Sequence, residues 1–372
     1  MEKRDKIFYI LTVLSMFVMI WFGLSNFSGG NNARAERGIS FPSARVVEII
    51  EDRTSYNIAG LKVGTQYLRL QLLSGERRGD IVEARNILFP IEHAVYAQVG
   101  NRVVLFFEQG EDSYFAHVQS FDRAISMYIV IAAFFGLLAL VFGVTGVRSA
   151  FSLVFTFVVL IFWLLPLIVN GSPPAFWTVV LSLIIVAVST IAIMGFDKKS
   201  YVAIAGTTIG IVLYCVFYLI ISVALRISGF NVQEADFLIV AGMGASVGEL
   251  LFCAILIASL GALMDVTVSL ASVAAELKET NKKAGFNELF SSTMKIGRDI
   301  IGSSSNTLIL AFTGTFFITL IVLNINDSPY IVLINRTDMA IEVLRAISAS
   351  AAMVLCAPAT AFIGAKAFAK SH

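Results

Sequence analysis

The sequence predicts a mainly α, polytopic membrane protein with about eight transmembrane helices and a small extracytoplasmic β-rich domain. Three observations predict it. Of 372 residues, 57% are hydrophobic and only 14% are charged, where soluble domains carry roughly 25% charged residues. The apolar residues fall in runs long enough to cross a bilayer, which takes about 20 residues. One stretch, residues 26–123, breaks that pattern with short alternating segments.

The runs lie at about 7–24, 126–147, 150–169, 175–195, 201–225, 238–263, 306–325 and 341–365. Polar punctuation separates them at Arg148, at Asn170 to Pro174, at Asp197 to Ser200 and at Arg226 to Asp236. The first run is longer than the apolar part of a cleaved signal peptide, and its A-x-A-like site, Ala33 to Ala35, lies well beyond it. Residues 1–25 are therefore expected to be an uncleaved anchor. With the N-terminus inside, thirteen Lys and Arg residues fall in inner segments, from Lys3, Arg4 and Lys6 to Lys366 and Lys370. Only Arg226 and Arg336 fall in short outer loops. By the positive-inside rule both termini are cytoplasmic.

The sixth span is harder to delimit. From Phe237 to Ala275 the only charges are Glu249 and Asp265, and as one helix this stretch would run about 58 Å. Either the helix extends into the cytoplasm, or its start at Gly242, Gly244 and Gly248 is broken or re-entrant.

In 26–123, alternation predicts strands at Ala44 to Glu51, around Leu68 to Leu72, and at Asp80 to Asn86, Arg102 to Phe107 and Tyr114 to Ser120. Leu68, Leu70 and Leu72 should point inward, with Arg69 and Gln71 outward. Gly64, Gly75, Gly79, Gly100 and Gly110 supply turns. A small barrel or sandwich is expected, with an OB-like barrel among the candidates. Arg69, Arg77, Arg78 and Arg85 are balanced by Glu76, Asp80 and Glu83, and the net charge is +1, so nucleic acid is not expected as a partner. The seven-span remainder, 124–372, includes an amphipathic segment at about 284–300. There Phe286, Leu289, Phe290, Ile296 and Ile300 share a face that would lie along the cytoplasmic membrane surface.

Ionisable groups inside a bilayer are costly and mark functional candidates. Glu249 falls near mid-membrane if its helix starts near Phe237. Asp265 falls near the inner interface on that count, or deeper if the helix starts near Gly248. Arg298 and Asp299 precede the seventh span, and Glu342 and Arg345 are three apart, spaced to pair on one helix face. Beside them, Ser303, Ser304, Ser305, Asn306 and Thr307 open the seventh span, followed by Thr313 and Thr315. Such residues either glue helices together or line a polar path with Asp265. The candidate coupling residues are thus Asp265, Glu249 and Asp299, with Arg298, Ser305, Asn306 and Thr307 as path or contact residues. The cysteines Cys215, Cys253 and Cys356 all lie in apolar runs and the histidines His93, His117 and His372 are scattered, so neither a disulfide framework nor a metal site is expected. No Walker A loop, nucleophile elbow or Rossmann fingerprint occurs, so no cofactor and no enzyme activity are expected.

The stretches Gly261-Ala-Leu-Met-Asp265-Val-Thr-Val-Ser, Ile296-Gly-Arg-Asp-Ile-Ile-Gly302 and Asn306-Thr-Leu-Ile-Leu-Ala-Phe-Thr-Gly314 resemble the YibE/F family of bacterial membrane proteins. From about residue 175 the order of spans also resembles, more weakly, the half-repeat of SecD/SecF and the wider RND superfamily. Met264-Asp265-Val-Thr aligns with the V-D-A-N-type motif of SecD, and Ser305 to Ile309 resembles the start of its next span. That resemblance implies proton-motive-force coupling through Asp265, passed on to the outer domain. The sequence departs from SecD in carrying two extra spans (about 126–169), a different outer domain and no second repeat, so an RND-like machine would need a dimer. The expected function is an ion- or proton-coupled transporter, with a SecDF-like assembly factor and a sensor or scaffold as alternatives. The expected partners are the lipid bilayer, a small-molecule or polypeptide substrate, and a homo-oligomer or paired homologue.

Overall fold

The computed structural model describes residues 3–35, 38–58, 60–89, 95–110, 113–227, 240, 242, 247–325 and 329–369. The expected start of the sixth span near 238, Gly244, Lys370, His93 and His372 lie outside the described residues. The chain divides into two compact units, 24–141 and the remainder, 1–23 with 142–372.

Among the described residues eight helices are long and apolar enough to span a membrane. They are α1 (Lys3–Ala35), α2 (Ala124–Phe142), α3 (Val144–Val169), α4 (Pro174–Met194), α5 (Lys198–Ala224), α6 (Val247–Thr280), α7 (Phe286–Ile325) and α8 (Thr337–Ala369). A mainly α, polytopic architecture follows. α2 and α3 part at Gly143, five residues before the expected break at Arg148, because Gly143 adopts φ 55°, which side chains with a Cβ disfavour. Within α3 the turn Leu160–Leu164 is widened to a π-helix just ahead of Pro166, whose ring would otherwise crowd the preceding turn.

The barrel of the smaller unit is built from β1 (Ile39–Ser40), β2 (Ser43–Tyr56), β3 (Lys62–Leu72), β4 (Ile81–Leu88), β5 (Arg102–Gln109) and β6 (Tyr114–Phe121). β2 pairs β3 and β3 pairs β4, both antiparallel. β6 lies parallel to β4 at Arg85 and His117 and antiparallel to β5. β5 returns antiparallel to β2, which closes the sheet, and β1 adds a short pair to β5. Leu68, Leu70 and Leu72 point into the core and Gln71 is exposed, as the alternation requires. The same alternation turns Gln66 inward, fully buried, where its amide donates to the Ala97 carbonyl and accepts from Ala97 N–H and from the buried Asn86 amide. Asn86 also donates to the Val95 carbonyl. Two buried amides thereby hold the Val95 to Ala97 segment, each paired as buried polar groups require.

In the larger unit α5, α6 and α8 approach closely through small residues. A Cβ on Gly206 of α5 would collide with Thr360 of α8, and one on Gly364 of α8 would lie 3.1 Å from Ala274 of α6. Gly210 faces Leu263 and Cys356 in the same way. Small residues at such contacts let dispersion contacts accumulate over the whole helix length, which drives association where no hydrophobic effect operates between helices. α1 also docks here: the Tyr9 hydroxyl donates to the Ala192 carbonyl of α4 at 2.8 Å, and its ring packs edge-on against Phe151 of α3.

α7 differs from expectation. The amphipathic segment at 284–300 is not separate from the seventh span but continuous with it in one 40-residue helix. The first part of its apolar face is covered by the protein, while Ile296 stays exposed. Leu289 is buried in a cluster with Val202, Ala271, Ala274 and Phe368, and Phe286 packs edge-on against Phe362. With neither proline nor a left-handed residue between 286 and 325, nothing interrupts the hydrogen-bond ladder.

Candidate functional site

α6 as described begins at Val247, so Glu249 stands in its first turn and not at mid-helix. Gly242, at φ 82°, adopts a left-handed conformation ahead of it. The Glu249 carboxylate accepts a hydrogen bond from the Ala175 backbone N–H at 3.1 Å. α4 opens with Pro174, which lacks an N–H, so Ala175 is the first donor left without a partner inside that helix. Glu249 fills it and places negative charge at the positive end of the α4 dipole.

Asp265 sits 18 residues into α6, about 27 Å along the helix at 1.5 Å per residue. Nearby positions of α6 are buried: Leu263, Val266 and Thr267 all have no exposure. Thr267 is hydrogen-bonded to Thr207 of α5 at 2.6 Å. Asp265 itself is exposed, and among the described residues it has neither a hydrogen bond nor an ion pair. Between Leu250 and Ala275 it shares that exposure with only Ala254, Ala258 and Gly261. Spaced four, three and four apart, these residues form one stripe along the helix.

α7 runs back alongside α6 after the short connection 281–285. Gly297 fixes their alignment, since a Cβ there would lie 2.8 Å from Leu270. Five residues further along each antiparallel helix, Asp265 comes level with Gly302, and Gly261 comes level with Asn306. The residues at this level were the ones suspected from sequence. Asn306 and Ser303 are exposed. Thr307 is exposed too, and its hydroxyl donates to the Ser303 carbonyl at 3.0 Å. Ser305 turns inward, where its buried hydroxyl has no partner among the described residues. Arg298 and Asp299 lie about one turn nearer the α7 start, both exposed and without an ion pair among the described residues.

The sixth- and seventh-helix candidates are therefore brought to one level, and Glu249 is set apart from them. It stands 16 residues from Asp265 along α6, about 24 Å away. The Glu342–Arg345 pair expected on α8 is present at 2.9 Å, half-buried. Its guanidinium lies 5.8 Å from the ring centroid of Phe312 on α7, while the second Glu342 oxygen is buried without a partner among the described residues. A signal overlooked in the sequence is the stripe Ala254, Ala258, Gly261, Asp265, whose spacing marks one helix face. Among the described residues no three His, Cys, Asp or Glu side chains cluster closely enough to hold a metal ion.

Such an arrangement offers a carboxylate able to bind a proton or a small cation, at about the level of hydroxyl and amide groups on α7. No curated protein and no solved structure matches the chain. The family model described as YibE/F-like protein matches residues 130–370, which takes in α3 to α8 and with them every residue of this site. The chain belongs to the YibE/F-like family.

Proposed function

We propose that the chain is an ion- or proton-coupled secondary transporter, acting as an exporter, in which Asp265 takes up and releases the coupling ion. One observation carries this reading: a carboxylate without a partner among the described residues stands at the middle of an apolar spanning helix, level with Gly302 and Ser303 and about one turn from Asn306. Intramembrane carboxylates that no cation neutralises typify ion pathways and proton relays. The membrane in this reading is the bacterial cytoplasmic membrane. Both termini lie inside and residues 26–123 outside, in keeping with the bias of Lys and Arg. No catalytic step is involved, and the energy comes from an ion gradient.

The test uses everted membrane vesicles energised to an acid interior, with a pH-sensitive dye as reporter. Organic cations, organic acids and amphiphilic dyes are added one class at a time. A compound that releases protons from wild-type vesicles and not from Asp265→Asn vesicles is a substrate. Equal release from both, with equal amounts of folded protein, would refute coupling through Asp265.

A second reading, an assembly or translocation-assisting factor, is favoured by a groove on the barrel. A cavity of about 270 Å³ is lined by Ile50, Tyr67, Arg85, Tyr114 and Phe115, and Phe115 is 52% exposed. Aromatic grooves of this kind hold extended polypeptide. A photo-crosslinker at Phe115 that traps a polypeptide supports this second reading, and failure to trap one removes it.

A further inference from the structure

We propose that an extended polypeptide adds as a strand to the open edge of β4, in the seam where β4 meets β6. Strand addition of this kind rests on the second reading above and gives the polypeptide held there its mode of binding and the side chains it must carry.

The barrel is not equally closed all round. β3 and β4 pair at eight successive positions, from Gly64 with Leu88 to Gln71 with Ile81. β5 and β6 pair at seven, from Val103 with Phe121 to Gln109 with Tyr114. β4 and β6 pair at one, Arg85 with His117. These two strands run parallel, so their starts, Ile81 to Ala84 and Tyr114 to Ala116, lie on the same side of that bridge. There β4 is held by β3 and β6 by β5, and the seam between them is open. The cavity of about 270 Å³ lies at this place, with Glu83 to Arg85 on one wall and Tyr114 to Ala116 on the other.

An open edge is a template for another strand, because every second residue turns its backbone N–H and C=O outward. The Glu83 N–H shows which residues face the seam, since it donates to the Tyr114 hydroxyl at 3.0 Å. Alternation then turns the backbone groups of Ile81, Arg85 and Ile87 the same way. A side-chain oxygen thus stands where the ladder of a neighbouring strand would run. Tyr114 is exposed, so its hydroxyl can be displaced and the Glu83 donor left to an incoming carbonyl.

The side chains beside the edge fix what the strand carries. Ile81 and Phe115 are 59% and 52% exposed. Arg85 is exposed and forms no ion pair among the described residues. The acids on its face are committed elsewhere. Glu83, two residues back on β4, is held by Arg69 at 3.3 Å, and Glu51, in the row Glu51, Tyr67, Arg85, is held by Arg53 at 2.6 Å. In register with the Arg85 bridge, Phe115 stands level with Glu83, about 7 Å along the strand from Arg85. An acidic residue opposite Arg85 and an apolar one two positions away, opposite Phe115, answer both features, since residues two apart share a face. A polypeptide suits the edge because its own donors and acceptors recur at the same repeat.

The experiment follows the fluorescence anisotropy of a labelled heptapeptide added to the full-length protein in detergent. Threonine occupies its odd positions, and valine, aspartate and valine its even ones. Two further versions carry N-methyl groups, one on the odd amides and one on the even. A strand paired along one edge uses one of these sets. One methylated peptide should therefore bind like the parent and the other about tenfold more weakly, the factor that the loss of two hydrogen bonds brings. Replacing the aspartate by asparagine should cost about tenfold on the wild type and leave binding to Arg85→Gln unchanged. Tyr114→Phe, which frees the Glu83 donor, should tighten binding about threefold. Both side chains are exposed, so the variants should fold, which protease resistance of the barrel checks. Equal binding of both methylated peptides, equal loss of both, no binding of the parent at millimolar peptide, or an aspartate preference that survives in Arg85→Gln overturns the proposal. The outcome is separable from the second reading. A crosslinker at Phe115 that traps a polypeptide equally in wild type, Arg85→Gln and Tyr114→Phe refutes strand addition alone. Binding that depends on which amides are methylated, with no polypeptide trapped in the native membrane, supports the edge site and removes the assembly reading alone.

Discussion

Two polar residues on α6 stand two positions apart and meet opposite environments. Thr267 faces α5, has no exposure and shares a hydrogen bond with Thr207. Each hydroxyl has one proton, so one of the pair donates across the interface while the other donates to a carbonyl of its own helix, Ala203 or Met264. Asp265 faces away, exposed and without a partner among the described residues. Their difference separates structural from functional polarity within one helix. A polar group that serves packing is resolved inside the chain, and one left open at the same depth awaits an ion, water or another chain.

The largest expected effect comes from overpacking the closed face. Gly206→Leu puts a side chain where Thr360 already stands, and strain of this kind costs about 1–3 kcal/mol or more. The amount of folded protein recovered from membranes should fall sharply. Gly261→Leu is the matched change on the open face of α6, where a Cβ meets nothing within 4 Å. Its stability should stay within about 0.5 kcal/mol of wild type. Equal losses from both variants would abolish the distinction between the two faces.

Next in size is Asp265→Asn. If the open face is functional, proton release should vanish while resistance to unfolding in detergent is retained, because the carboxylate makes no contact that the amide would lose. A drop in stability as large as the drop in flux would return Asp265 to the structural class. Thr267→Val should do the reverse on a smaller scale. It removes one interhelical hydrogen bond, about 0.6 kcal/mol on average in a membrane bundle. Thr207 keeps its bond to Ala203, so the cost should stay near that figure, with flux unchanged.

How much of this was legible beforehand follows from what sets each feature. Spans and strands are local: apolar runs and alternation register in consecutive residues, so α4, α5 and β3 to β6 lie close to their expected places. Helix breaks depend on backbone angles, and Gly143 outweighed Arg148 because a left-handed conformation ends a helix where a flanking charge does not. Glu249 stands in the first turn of α6 as described, which agrees with the later of the two starts that the unbroken apolar stretch left open. The covered face of Leu289 and Phe286 was read as membrane-facing because amphipathicity reveals that a face is buried but not what buries it. Gln66 was within reach, since the alternation that turned Leu68 and Leu70 inward extends to it. Which side of α6 carries Asp265 depended on the packing of α5 and α8 and could not be read from α6 alone.

The smallest effect tests the same contrast in the barrel, where polar groups are resolved without a membrane. The Asp52 carboxylate accepts from the Thr54 N–H at 3.0 Å and from the Tyr96 hydroxyl at 2.9 Å. Hydrogen bonding, from Thr54 first and also from Tyr96, holds its pKa below the ordinary value of 3.8. A carboxyl whose pKa is lower in the folded state contributes stability that is complete above the unfolded value and is lost as the pH falls through the folded one. That window lies below about pH 4. Asp52→Asn retains a neutral acceptor and removes only the charge-assisted part, so it should destabilise the barrel by less than about 1 kcal/mol at pH 6, given the exposure of the site. As the pH approaches 2 the difference between wild type and variant should close, followed by resistance of the barrel to an acid protease in the full-length chain. A gap that stays constant across that range would mean the carboxylate charge has no part in holding Tyr96, and that its contacts act as neutral hydrogen bonds.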